Sequence, residues 1–318
     1  MARIALHCSH EQLPPSRLLR AVRRAQDAGF AAGMSSDHFS PWSERQGESG
    51  FAWSFLGAAL AATDLPFGVV NAPGQRYHPA IVAQAAASLA EMFPGRLWIA
   101  LGSGEASNEH ITGDPWPPKQ ERNARLRECV EVMRALFAGE EVSHRGRVVV
   151  DRARLYTRPA EPPPLLGAAV SEATARWAGS WADGLATVNA PVDRLRGMLD
   201  AYREGGGAGR LVLQVHLSWA TTEEAALRIA HDQWRTNVFE PPVCWDLQMA
   251  ADFDAAARYV RPEDVRRTVL VSSDLARHAA WLHELAGLGF DDIALHHVGQ
   301  DLDPFIDAFG EHVLPRLR

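Results

Sequence analysis

Eight short apolar, β-type runs alternate with longer helical patterns along this chain, and that alternation limits the fold more than any other feature. The runs are residues 3–7, 30–35, 66–71, 96–101, 164–168, 184–188, 211–219 and 292–297. Helical patterns occupy 14–29, 51–63, 79–93, 120–138, 171–181, 192–204, 275–287 and 304–313. The first helix shows the signals: Pro14 and Pro15 open it, Leu18, Leu19, Val22 and Ala25 share a face, and Gly29 ends it. Strands separated by helices pair in parallel through right-handed crossovers. Eight such units in 318 residues match the count and length of a closed (β/α)8 TIM barrel. The predicted fold class is therefore α/β, one barrel domain over residues 1–318, with a doubly wound open sheet as the structural competitor. Residues 142–150 read as a small hairpin. Two insertions, about 105–119 and about 221–268, interrupt the repeat. Long insertions in a compact barrel are expected to cover its active-site face.

Charge and cysteine content narrow the function classes. Net charge is −7, and Lys119 is the sole lysine. No basic patch with interleaved aromatics is present, so no nucleic-acid partner is expected. Neither a signal-peptide stretch nor an 18-residue apolar run occurs, which predicts no membrane association and a cytoplasmic location. Cys8, Cys129 and Cys244 are far apart, without a CxxC. That fits a reducing compartment and gives no zinc signature.

In a barrel the chemistry sits just past the strand ends. Those positions here hold His10, Glu11, Asp37, His38, Trp42, Val70, Asn71, Glu105, Asn108, Glu109, Ala168 to Ser171, Asn189 and His297. The loop after the second strand, from Asp37 to Trp53, packs an acid, an imidazole and two indoles into 17 residues. His7 and His10 are three apart and His296 and His297 adjacent, so neither pair puts two imidazoles on one face of a strand. No metal is therefore expected, and His7 and His296 read as strand histidines satisfied by hydrogen bonds. Ala168-Ala169-Val170-Ser171 meets a helix N-terminus, with Ser171 as its N-cap; such a turn suits a phosphate but also serves as a plain connection.

Together these pieces resemble the luciferase-like monooxygenase superfamily, and within it the branch containing deazaflavin-dependent glucose-6-phosphate dehydrogenase. The resemblance rests on Ser36-Asp37-His38-Phe39 with Pro41-Trp42, Arg76-Tyr77-His78-Pro79-Ala80, Gly102-Ser103-Gly104-Glu105 with Asn108-Glu109, Trp177-Ala178-Gly179 with Ala182-Asp183-Gly184, and Val313-Leu314-Pro315-Arg316-Leu317.

The resemblance implies a barrel of the bacterial luciferase type, with its insertions at the C-terminal face and a planar tricyclic cofactor closing the strand ends. It implies catalytic roles for His38, Glu105, Trp42 and Glu11. His38 would exchange a proton at the substrate carbon, tuned by Glu11, with Trp42 covering the reacting centre. Glu105 would be an acid near the ring. Asp37, Val70, Asn71, Ser103, Asn108 and Ala168, Ala169, Val170 and Ser171 would bind the cofactor, the last four at its phosphate, and a non-prolyl cis bond would lie near Val70-Asn71. The single lysine and the absence of a basic cluster on the later loops speak against glucose 6-phosphate as substrate. Residues 43–53 and the turn Asn71-Ala72-Pro73-Gly74-Gln75 resemble an FMN-dependent subgroup. The expectation is accordingly an FMN-dependent flavoprotein oxidoreductase or monooxygenase, a homodimer, acting on a small molecule and supplied by a flavin reductase. A deazaflavin (F-420)-dependent dehydrogenase or reductase is the alternative, and a flavin-binding protein without turnover the third.

Overall fold

The alternating runs close on one another as a ring of parallel strands. The computed structural model describes residues 2–317. In chain order its strands are β1 (Arg3–Cys8), β2 (Ala32–Ser35), β3 (Phe67–Asn71), β4 (Leu97–Leu101), β5 (Val142–Arg145), β6 (Val149–Ala153), β7 (Leu165–Ala168), β8 (Gly184–Val188), β9 (Arg210–Ser218), β10 (Leu270–Val271) and β11 (Asp292–His297). Parallel pairing runs β1-β2-β3-β4-β7-β8-β9-β11 and returns from β11 to β1. The β8–β9 ladder closes the barrel and removes the open-sheet alternative. β5 and β6 form the antiparallel hairpin, ending three residues later than its sequence pattern indicates. The two-residue β10, just past the long insertion, pairs with the far end of β9.

The helices are α1 (Pro15–Asp27), α2 (Ala52–Ala62), α3 (Pro79–Met92), α4 (Ala106–Glu109), α5 (Lys119–Ala138), α6 (Glu172–Gly179), α7 (Val192–Glu204), α8 (Glu223–Trp234), α9 (Val243–Asp246), α10 (Ala250–Ala256), α11 (Leu275–Ala286) and α12 (Asp303–His312). α1 shows why they form. Pro15 occupies its first turn, where no N–H is needed, and Leu18, Ala21, Val22 and Ala25 bury one stripe against the barrel. α4 lies in the first insertion, and α8, α9 and α10 in the second. The second insertion is pinned by its own core: Ala226, Ala230 and Trp234 of α8 pack on Val265, Val269, Val271 and Val298.

Small residues line the lumen. Ala5, Ala32, Ala100, Ala186 and Ala294 point inward, and Trp98 and Met34 fill the space they leave. Gly68 is the complement of Trp98, because an added Cβ there would fall on Cζ2 and Cε2 of the indole. Gly68→Ala is therefore expected to cost about 1–3 kcal/mol of overpacking strain, read as a lower denaturant midpoint with unchanged m-value.

One backbone expectation is corrected. The cis bond among the described residues is Pro241–Pro242, and none lies at Val70-Asn71. β3 stays in regular register with β4 through Val70↔Ala100 and Asn71↔Leu101, and the Asn71 carbonyl accepts from Gly102 N at 2.9 Å. An extended strand carried this far leaves the chain on its ordinary trans path.

Candidate functional site

The C-terminal ends of the strands open into a cavity of about 400 Å³. The turn after β1 brings Glu11 to it. That carboxylate is 3% exposed, accepts from Ser9 Oγ at 2.6 Å and from Ser36 Oγ at 2.8 Å, and lies 3.4 Å from His38 Nδ1. Burial alone raises a carboxyl pKa. Here the His38 charge, the Ser9 hydroxyl and the local backbone outweigh burial and hold Glu11 below its ordinary value. His38 thus lines the cavity with a carboxylate 3.4 Å from its Nδ1, within ion-pair distance but without hydrogen-bond geometry. The Trp42 ring lies 5.3 Å from it and rests edge-on against Phe253 of α10.

Glu105 follows β4, two strands on from β2. Burial raises its pKa, with the Glu11 and Glu109 charges adding to the effect against His38 and Lys119. Asn108, one turn on, couples this wall to the loop after β2. Its Oδ1 accepts from Phe39 N at 2.8 Å and Ser40 N at 3.3 Å, while its Nδ2 donates to Glu105 at 3.4 Å.

Asp37 faces away from His38. Its carboxylate accepts from Asn71 Nδ2 at 2.6 Å and Tyr77 OH at 3.1 Å, with Arg76 at 3.6 Å. Arg76 also reaches Glu109 at 3.7 Å, and its guanidinium lies over the Tyr77 ring. Asp37, Asn71, Tyr77, Arg76 and Glu109 are one buried polar knot that holds three strand-end loops together.

The cavity floor was not foreseen. His7, His216 and His296 sit on the adjacent strands β1, β9 and β11. The rings of His7 and His296 are 4.5 Å apart, and those of His216 and His296 5.3 Å apart. Gln214 bridges His216 and His296 at 3.1 and 3.3 Å, and Gln12 Oε1 takes the other His296 nitrogen at 2.8 Å. Burial lowers His7 to about 4 and His216 to about 3, and puts His296 well below its usual value, so all three are neutral near pH 7. His296 fits the hydrogen-bonded strand histidine expected of it; His7 does not, since its Nδ1 is buried without a partner. Comparing histidines along one strand hides a cluster built across three. The usable signal was the closure of the barrel, which makes the first and last strands neighbours.

Among the remaining expected residues, Val70, Ser103 and Ala168, Ala169 and Val170 line the cavity together with Asn71, Asp37, Asn108, Trp42, His38, Glu105 and Glu11. Ser171 does not. It is the N-cap of α6, accepting from Thr174 N at 3.4 Å, and Thr174 lines the cavity in its stead. His10 is buried against Ser35 and Phe55, and His297 stacks on Phe305 outside the lumen. The long insertion supplies a wall through Trp234, Phe239, Cys244 and Trp245, whereas Met249 is exposed. Among the described residues no three His, Cys, Asp or Glu side chains are grouped to hold a metal ion.

Comparison with known proteins agrees with this geometry. The family model for luciferase-like monooxygenases matches residues 1–292. F420-dependent glucose-6-phosphate dehydrogenase of Nakamurella multipartita is 33% identical over 328 residues, covering 99% of this chain and 96% of that protein. F420-dependent hydroxymycolic acid dehydrogenase of Mycobacterium tuberculosis is 34% identical over 322 residues, covering 98% and 87%. A solved F420-dependent secondary alcohol dehydrogenase, in complex with an F420–acetone adduct, superposes with a TM-score of 0.91 at 28% identity, over 100% of this chain and 99% of that one.

These relatives overturn the FMN expectation, and with it the monooxygenase and flavoprotein readings, since each is named for F420. The structure shows why residues 43–53 misled. Ser43 and the Glu44 amide bind Asp254, Arg45 pairs with Asp232, and Gln46 donates to the Gln233 carbonyl. Residues 43–46 hold the long insertion in place, and no side chain of 43–53 lines the cavity.

Proposed function

We propose that this chain, which belongs to the luciferase-like monooxygenase family, is a coenzyme F420-dependent dehydrogenase or reductase of a small alcohol or carbonyl compound. The observation that carries the reading is the pairing of opposites in one cavity. An imidazole backed by an ionised carboxylate, His38 with Glu11, shares it with Glu105, a carboxyl kept protonated to higher pH than usual. Environments that push titratable groups apart are those that assign acid and base.

The cavity suits a flat heteroaromatic ring with polar edges. Val70, Ala72, Ala168 and Ala169 give apolar surface, while Asn71 Oδ1, Glu109 Oε1 and His7 Nδ1 are buried polar atoms still lacking partners. A deazaflavin held there would supply the hydride acceptor or donor. His38 Nε2 accepts the hydroxyl proton of an alcohol as the hydride leaves its carbon, and returns a proton in the reverse direction. Glu11 stays ionised and stabilises the imidazolium that forms. Glu105, its pKa raised by burial and oriented by Asn108, is the group of the cavity better suited to give a proton. Trp42 and the long insertion keep water from the reacting atoms. On this reading the flavin reductase expected alongside FMN has no part. The single barrel domain, the homodimer and the cytoplasmic location are proposals resting on the family likeness; no helix among the described residues is long and apolar enough to cross a membrane.

Titration of the purified protein with both cofactors tests the reading. F420 is expected to bind at least about tenfold tighter than FMN, a difference of about 1.4 kcal/mol, followed by fluorescence. Tighter FMN binding would refute it.

A further inference from the structure

Lys119 and Arg122 are cations placed where cations are disfavoured. Lys119 is the first residue of α5, a 20-residue helix whose N-cap, Pro118, offers no side-chain acceptor. The positive end of the helix dipole favours anions there. Lys119 lines the cavity and donates to Ser103 Oγ at 2.7 Å, with its ammonium 4.7 Å from the centre of the Trp245 ring. Arg122, one turn on, is 3% exposed. It donates to the Gly104 carbonyl at 3.0 Å and lies over the Trp116 ring, but its Nε is buried without a partner. Among the described residues neither cation has a carboxylate within 4.0 Å; Glu105 and Asp246 act on them only from farther away. An ammonium can donate three hydrogen bonds, and Ser103 takes one.

The position of Ser103 says what comes near. A Cβ on its neighbour Gly102 would stand 3.7 Å from the Ala168 methyl. Gly102, next to Ser103, thus adjoins the small-residue turn between β7 and α6, and that turn lines the same cavity as Ser103 and Lys119. That turn offers backbone at the start of a helix but no cationic side chain of its own.

We propose that Lys119, backed by Arg122, is an anion-holding site of this cavity, taking a phosphate or carboxylate oxygen of the acidic chain that F420 carries beyond its ribityl group. The proposal rests on the F420 reading above. A bound anion supplies the missing hydrogen-bond acceptor, offsets the repulsion between the two cations and satisfies the helix end. Short apolar side chains around Ala168 leave room for it.

The test is a fluorescence titration of wild type, Lys119→Met and Lys119→Arg with two ligands: F420, and its riboside lacking phosphate and glutamates. Lys119→Met is expected to weaken F420 by about tenfold or more, as the loss of a charge-assisted contact does, and to leave riboside affinity unchanged. Lys119→Arg should recover most of the F420 affinity. Added salt should narrow the gap between wild type and Lys119→Met. Equal loss for both ligands would mean that Lys119 supports the ring or the fold, and would overturn the proposal. So would unaltered F420 affinity, including the case in which only the substrate KM rises. Wild-type protein that binds neither deazaflavin would overturn the F420 reading as well, so the two failures are distinguishable.

Discussion

Replacing His38 with alanine is expected to lower kcat/KM for alcohol oxidation by about 10²–10⁴-fold, the range for loss of a positioned general base. F420 affinity should stay within about threefold, because an interaction made in the transition state lowers turnover without altering cofactor binding. The geometry supports this division. His38 lines the cavity with Glu11 3.4 Å from its Nδ1, and most of the cavity lining comes from other elements. The pH dependence carries a further sign. A carboxyl depressed below its unfolded pKa stabilises the fold above that value and loses the contribution as pH falls through the folded one. Glu11 is depressed, so its charge outlasts the ordinary carboxylate range, and a rate lost in weakly acidic solution reports another group. Stopped-flow reduction of F420 under single turnover isolates the step. Normal turnover in a variant that binds F420 normally would remove His38 from the mechanism.

Arg76→Met should be the most damaging single change to stability outside the hydrophobic core. The guanidinium lies between Asp37 and Glu109, whose side chains are 1% and 2% exposed. It also donates to the Asp37 carbonyl at 2.8 Å. Removing one partner of a buried ion pair leaves uncompensated charge, at a cost of about 3–5 kcal/mol, measured as the loss in ΔG of unfolding in urea. Burial already raises Glu109, against the pull of Arg76. Without Arg76 the Glu109 carboxyl rises further, and the folded state binds a proton that the unfolded chain releases. Stability of the variant then falls as pH rises above the ordinary carboxylate range, so its deficit against wild type widens in that direction. A deficit independent of pH would place the cost in lost packing on Tyr77.

The barrel was legible in the sequence because it rests on periodicity: eight apolar runs at helix-separated intervals leave few topologies. The site was legible where chemistry sits on loops just past strands, as with Glu11, His38 and Glu105. It was less so where a residue's partner is decided by tertiary contact. Asp37 looks like a cofactor ligand on a loop; it lines the cavity, and Asn71, Tyr77 and Arg76 also share its carboxylate, which no local pattern announces. Ser171 looks like a phosphate ligand, but it caps its own helix. The Arg76-Tyr77-His78 motif was visible as a string without a role; the fold gives its first two members to Asp37 and makes His78 the N-cap of α3. Cofactor choice had no local signature, since residues 43–46 bind the long insertion and no side chain of 43–53 reaches the cavity.

The neutral imidazoles beneath the cavity have a consequence for how a ligand enters. Glu11, His38 and Glu105 stand on the loops and Lys119 at the start of α5, while His7, His216 and His296 stand on the strands and stay neutral. Depth in the cavity is therefore also a polarity axis, ionic toward the loops and amide-like toward the barrel centre. A long molecule with a charged tail and an uncharged, hydrogen-bonding head has one favourable orientation along that axis before any specific contact forms. The barrel sorts the two ends of its ligand by solvation.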